Sequence, residues 1–341
     1  MKNSTRRVLA AFLALRYVAF TVLTLLALAY SSIVRADEAY PSRKPISLIV
    51  PYPAGGASDY SARIFSDVIG KAIGQTVIVE NIGGATGVIA ANRLLKLPDD
   101  GYQIFHGSPN ELILPPLVNK SVKFKSEDFE LVQPITTATL VVLARRGLDV
   151  DNLDDVVRLA QQKGRAPVTY ATVGIGSLYH MIGERLTKEL DLNLQHVPYQ
   201  GGGPALTDVA GGQVDLAILP FTVSMVHQQA QGRFKIVSAL SNEVPDALKS
   251  IPLIKESKLV KNVDYRISGG YFVKTGTPAH EKNALRKAIG TALQDPEVRQ
   301  KLQHEGRLVA QPMSAQESDA YWTTEISKLR ELVKLIDYRP Q

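Results

Sequence analysis

The chain has 341 residues, 45% of them hydrophobic and 21% charged, with 39 Lys and Arg against 33 Asp and Glu and no cysteine. That length accommodates two ordinary domains, and the hydrophobic content excludes a disordered chain. The missing thiol excludes disulfides, thiolate metal sites, a cysteine nucleophile and the lipidated cysteine of an exported lipoprotein.

Lys2, Arg6, Arg7 and Arg16 precede an apolar run over 17–30, followed by Ser31, Ser32 and the exit Val34-Arg35-Ala36. A charged n-region, a short apolar h-region and a small-residue exit make a secretory signal, whereas a spanning helix needs roughly 20 apolar residues. Residues 1–36 therefore read as a signal peptide cleaved after Ala36; an uncleaved anchor is the alternative if 8–15 joins the run across Arg16. Five basic residues and no acid leave with the leader, so the mature chain is nearly neutral. The basic footprint that a nucleic-acid partner would require belongs to the leader.

Strand and helix patterns then alternate. Residues 46–50 read as a strand, 51–58 as a glycine-bearing loop, and Ile64, Phe65, Val68 and Ile69 as the apolar stripe of a helix that Gly70 or Gly74 stops. A strand over 77–79, a loop over 83–87, a helix over 88–96, a turn at 99–101 and a strand over 102–105 complete a βαβαβ series, which implies a parallel sheet flanked by helices. The theme repeats with strands over 140–144, 168–171 and 214–219 and one ending at His196-Val197. Between them lie helices over 153–162, around Met181, Ile182, Leu186 and Leu190, and over 205–210. Beyond Tyr265 a strand over 271–273 precedes helices marked by Leu285, Ile289 and Leu293, then by Ile326, Leu329, Val333 and Ile336.

Three glycine-bearing loops, 51–59, 173–177 and 198–204, follow strand carboxyl ends and run into helix N-termini, where ligands of parallel α/β sheets sit. Helix N-termini offer unpaired N–H donors and partial positive charge, so these loops favour carboxylate or phosphate. Nucleotide motifs fail on spacing: Tyr179 stands where a dinucleotide fingerprint wants its third glycine, and no P-loop Gly-Lys-Ser/Thr occurs. Gly56-Ala57-Ser58-Asp59-Tyr60 lacks the last glycine of a hydrolase elbow. The six histidines include no metal-binding spacing, so no metal or cofactor is expected. Asp59 reads either as a first-turn acid or as an acceptor for a ligand; His180 reads either as a donor to an anion or as a packing residue.

In these loops the chain resembles the Bug family, the TctC-type periplasmic receptors of tripartite tricarboxylate transporters. The carrying residues are Tyr40-Pro41-Ser42-Arg43-Lys44-Pro45, Ile49-Val50-Pro51-Tyr52-Pro53-Ala54-Gly55-Gly56 with Asp59 and Arg63, Val79-Glu80-Asn81, Gly83-Gly84-Ala85 and Pro98-Asp99-Asp100-Gly101-Tyr102. Later come Tyr170-Ala171-Thr172 with Gly174, Gly176, Ser177 and His180, then His196-Val197-Pro198-Tyr199-Gln200-Gly201, Pro204-Ala205, Asp208 and Gly211-Gly212-Gln213-Val214-Asp215. The resemblance implies a two-lobed, type II-like Venus flytrap with a hinged cleft, lobe one being 37–139 with 265–341 and lobe two 140–264. It implies a periplasmic, monomeric receptor that passes a small organic acid to membrane transporter subunits, the acid's carboxylate being held largely by loop backbone and ordered water. By position, lobe one contributes Tyr52, Ala54, Gly55, Gly56, Ser58, Asp59 and Ser108, and lobe two Thr172, Gly176, Ser177, His180 and Tyr199. Tyr52 replaces the family's usual phenylalanine, Ser241-Asn242-Glu243 lacks an arginine often found there, and 265–271 lacks the usual tryptophan.

Two other readings compete. An exported α/β enzyme acting on a carboxylate would need a nucleophile and base, for which Ser177 and His180 are the available pair, without an evident acid to orient the histidine. A receptor of the same fold that informs a membrane sensor would have the same sequence features. The leader generates a direct expectation: N-terminal sequencing of exported protein should start at or near Asp37, and retention of Lys2 with stable membrane attachment would overturn it.

Overall fold

The computed structural model describes Arg16, residues 20–22, Thr24, residues 40–261 and residues 263–338. The expected cleavage site and most of the leader lie outside them. Contacts divide the chain into 1–43 and 44–341, and the second unit carries the fold described below. Among the described residues no helix is long and apolar enough to cross a membrane.

Strand β1 (Ile46–Val50) leads to helix α1 (Ala57–Ile73), whose stripe buries Phe65 and Ile69 and which ends at Gly74 in the left-handed conformation, its N–H bonded to Gly70 O at 3.0 Å. β2 (Val77–Asn81), α2 (Val88–Lys96) and β3 (Gln103–Gly107) follow, and β1 pairs in parallel with both other strands. Two short helices, α3 (Pro109–Leu112) and α4 (Leu114–Val118), then lead into the long strand β4 (Phe129–Arg145).

The second βα series runs through α5 (Leu153–Ala160), β5 (Val168–Thr172), α6 (Leu178–Leu190), β6 (Leu194–Pro198), α7 (Gly202–Ala210) and β7 (Leu216–Pro220). α8 (Ser224–Ala230), β8 (Phe234–Ala239), β9 (Arg266–Lys274), α9 (Ala279–Gln294), α10 (Pro296–His304), the two-residue β10 (Leu308–Val309) and α11 (Ala315–Leu335) complete it. β5 pairs in parallel with β6 and β7, repeating the arrangement around β1.

The expected parallel units are therefore present, but the sheet is mixed, because β3–β9, β4–β9, β4–β7, β4–β8 and β4–β10 are antiparallel. The order is β2-β1-β3-β9-β4-β7-β5-β6, with β8 and β10 also on β4. Residues 129–139 of β4 pair with β9, and residues 140–145 pair with β7 and β8. One strand thus belongs to two half-sheets and changes partners between Thr139 and Leu140.

Only 140–144 of this strand is read from sequence. Its first part contains Gln133, Pro134 and Thr136, which break an apolar run, and the register against β9 shifts at 131/133 and again at 134/136. A bulge is where a sheet tolerates proline. The buried Gln133 amide is satisfied in both directions by the backbone of Met313, at 2.9 Å each way, which ties the approach to α11 onto the bulge. α11 begins with a capping box between Ser314 and Glu317 and places Trp322 on Phe272, ring centroids 4.7 Å apart. A fully buried aromatic or aliphatic side chain contributes roughly 1.5–3 kcal/mol. Phe105, Phe129, Phe272 and Trp322 therefore fix the first half-sheet against its C-terminal helix.

Candidate functional site

The loops that leave the parallel strands meet across the two half-sheets. Thr86 Oγ1, in the turn after β2, donates to Ile175 O at 3.4 Å, and a Cβ on Gly176 would fall 2.6 Å from Cγ2 of Val118 in α4. The closest polar contact is made by Asn110 in α3, whose Oδ1 accepts the Leu178 N–H at 2.8 Å. Leu178 is the first residue of α6, so a side-chain oxygen from one half-sheet sits on the positive end of a helix in the other.

On the β1 side, Ala54, Gly55 and Gly56 are exposed and Ser58 half-buried. Gly55, at φ 82°, donates its N–H to Asp59 Oδ2 at 2.8 Å, and Arg63 pairs with the same carboxylate at 2.9 Å. Asp59 is therefore the brace of its own loop. Burial pushes its pKa up, but the Arg63 and Gly55 donors outweigh burial and hold it below the ordinary value. Tyr52 donates its hydroxyl to Glu111 in a short hydrogen bond, and its carbonyl accepts from Asn81 Nδ2 at 3.1 Å. Ser108 caps α3, accepting from Asn110 N at 3.2 Å while its hydroxyl and N–H both donate to Glu111 at 2.6 Å.

On the β5 side, Ser177 is fully buried as the N-cap of α6; its hydroxyl donates to Gly174 O at 2.8 Å and accepts from His180 N at 3.3 Å. Gly176, at φ 76°, donates to His180 Nδ1 at 3.1 Å, leaving Nε2 facing Glu184 at 3.4 Å. His180 stacks on His196 with centroids 3.9 Å apart, and His196 Nε2 meets Thr172 Oγ1 at 2.7 Å. Burial, then the neighbouring His180, pushes His196 down to about 3. Tyr199 donates to Asp208 at 2.6 Å, and burial with that carboxylate raises its pKa to about 12.

These contacts bring most of the expected residues into two facing loop clusters, but they engage the side chains within the protein. Ser177 and His180 do not form a nucleophile–base pair: the hydroxyl donates to the Gly174 carbonyl, and His180 Nδ1 accepts from Gly176. Among the described residues no group of three His, Cys, Asp or Glu side chains is placed to hold a metal. Sequence reading passed over Asn110, Glu111 and Tyr179. The Ser-x-x-Glu spacing of Ser108 and Glu111 before Leu112-Ile113-Leu114 is the capping-box signature that could have found the first two. Burial pushes Glu111 up to about 7, against the lowering effect of its Ser108 and Tyr52 donors.

The chain matches, over residues 61–338, the family described as tripartite tricarboxylate transporter family receptor. It is 31% identical over 309 residues to an Agrobacterium vitis protein from the TAR-I ttuE–ttuC′ intergenic region, covering 88% of this chain and 86% of that one. Among solved structures, the periplasmic binding protein BugD superposes with a TM-score of 0.79 at 26% identity, covering 88% of this chain and 99% of BugD. MatC from Rhodopseudomonas palustris with bound malate gives 0.78 at 25% identity, covering 86% and 99%. The expected periplasmic-binding-protein fold is thereby established, with a mixed sheet.

Two expectations follow from the geometry. A side chain at Gly176 must adopt a left-handed backbone, strained by about 1–3 kcal/mol, and displace Val118. Gly176→Val should therefore lower stability and weaken acid binding more than Ser177→Ala, whose main effect should be loss of a helix cap at about 1 kcal/mol. Calorimetric titration beside urea unfolding curves separates the two, and unchanged affinity in a folded Gly176→Val protein would remove this loop from the site. Glu111 gives the second. Its folded pKa lies above its unfolded value, so the folded state holds the extra proton and stability declines as pH rises from about 4.5 towards about 7. Glu111→Gln should lack that component of the slope; parallel pH profiles for the two proteins would contradict it.

Proposed function

Because the chain belongs to the tripartite tricarboxylate transporter receptor family, we propose that its mature form is a periplasmic receptor that captures one small carboxylate-bearing molecule and passes it, unconverted, to membrane transporter subunits. The observation that carries this reading is the Asn110–Leu178 contact. An oxygen from one half-sheet occupies the N-terminus of α6 in the other, which is the position a ligand carboxylate takes at a helix N-terminus. The capturing lobes are 37–139 with 265–341 and 140–264. Supporting this division, the two crossings between half-sheets lie side by side, since Thr139 pairs with Arg266 and Tyr265 N donates to Leu240 O at 2.7 Å.

The internally satisfied loop side chains support recognition through backbone groups and water. Tyr52, Ala54, Gly55, Gly56, Ser58, Asp59 and Ser108 shape one wall, and Thr172, Gly176, Ser177, His180 and Tyr199 the other. The Ser177 hydroxyl donates to Gly174 O and not to the His180 ring, which weighs against turnover. MatC is described with malate, which makes malate the first acid to test. A ligand at about 100 times its Kd stabilises by about 2.7 kcal/mol, so a thermal-shift screen of malate and other small organic acids should produce a clear rise in Tm. No response across the panel would sink the capture reading, and a new product after incubation would replace it with an enzyme.

A further inference from the structure

Arg307 stands where the chain passes from α10 into β10. Leu308 pairs with Thr137 of β4, so Arg307 lies one residue further on, level with Ala138 and next to the Thr139–Leu140 partner change. The register fixes its side of the sheet. Gly107 of β3 pairs with Gly270, while Ala138 pairs with Ile267, so Arg307 lies beyond Gly107 in the direction in which β3 runs. That is the edge from which the ligand loops depart. The residue before it, Gly306, packs so closely on the second half-sheet's connection that a Cβ there would come within 2.6 Å of Phe221. Arg307 is thus held at the junction of the two half-sheets.

Its guanidinium is part-buried, and among the described residues it makes no hydrogen bond or ion pair. Other part-buried arginines do: Arg145 pairs with Asp215 and Arg185 with Glu189, each at 2.8 Å. The charges and dipoles that Arg307 feels come from Tyr179 in the first turn of α6, from Glu305 two residues earlier, and from His106 on β3. His106 Nδ1 and the Tyr271 hydroxyl, on rings 5.4 Å apart, are also buried without partners. Tyr179, next to Leu178 at the start of α6, in turn feels both Arg307 and Glu111. A guanidinium keeps its proton, and a part-buried one that no side chain pairs with has its donors free for an anion. A planar carboxylate is the partner that its fork of donors fits.

We propose that Arg307 anchors a second carboxylate of the captured molecule, so that the site selects a diacid lying between the N-terminus of α6 and this guanidinium. The inference rests on the carboxylate-capture reading and adds the residue that discriminates among acids. The test is calorimetric titration of wild type, Arg307→Gln and Arg307→Lys with three matched pairs: malate and 3-hydroxybutyrate, succinate and butyrate, adipate and hexanoate. Wild type should bind at least one diacid tenfold or more tighter than its monoacid partner. Arg307→Gln should weaken that diacid about ten- to a hundredfold, the range of a charged hydrogen bond, and change the monoacid less than about twofold; Arg307→Lys should fall between. Without ligand, Arg307→Gln should melt close to wild type, because no protein group is hydrogen-bonded or ion-paired to the guanidinium.

Equal wild-type affinity for diacid and monoacid, or an equal loss for both in Arg307→Gln, overturns the role of Arg307 and leaves carboxylate capture standing. A ligand-free Arg307→Gln protein that melts well below wild type assigns the guanidinium a structural partner and also overturns it. If wild type binds none of the six acids, carboxylate capture itself fails and the inference goes with it.

Discussion

The hydrogen bonding of β4 governs the architecture. Over 129–139 its backbone is committed to β9, and over 140–145 to β7 and β8, so each half-sheet is completed by the same length of chain. Backbone donors and acceptors buried in a sheet must be paired, and β4 cannot be removed from either half without exposing the edge of the other. It passes from the first half-sheet to the second at the Thr139–Leu140 step. Arg266, the first residue of β9, lies opposite that step. Two adjacent strands therefore carry the connection, and the glycine-bearing loops on either side are positioned by it.

Around the junction, the loops are held by their own side chains. Asp59 braces the Gly55 turn, Ser177 caps α6, Ser108 and Glu111 cap α3, and Thr172 holds His196. Groups fixed in this way lose little freedom when a ligand arrives, which is the advantage of preorganisation. It also explains how a site can contain serine, histidine and several acids without the geometry of a hydrolase: each group has a partner that sets its direction.

Much of the fold was legible because its signals are local. The strand at 46–50, the helix at 88–96 and a glycine stop at Gly70 or Gly74, which falls at Gly74, follow from β-branched runs, helical periodicity and left-handed glycine within a few residues. The first part of β4 was not legible, since Gln133, Pro134 and Thr136 look like a loop until a bulge and the Met313 backbone satisfy them. α8 and β8 were also passed over, the helix having only Met225 as a buried anchor. For the site, the loops could be located from glycine placement, but the duties of their side chains could not. Tyr52 meets Glu111 59 residues away, and Asn110 meets Leu178 68 residues away; no local pattern encodes such pairs.

The Asn110 contact has a consequence for selectivity. Its Oδ1 is a neutral amide oxygen tethered beside the N-terminus of α6, and a tethered group competes at an effective concentration in the millimolar range or above. An incoming neutral amide or alcohol offers the helix nothing that Asn110 does not already provide, and it must also give up its own freedom of motion. A carboxylate brings a full negative charge to a partial positive one, an interaction worth up to about 2 kcal/mol in a partly buried setting. On the proposed capture site, Asn110 is a built-in reference solute, against which only an anion gains.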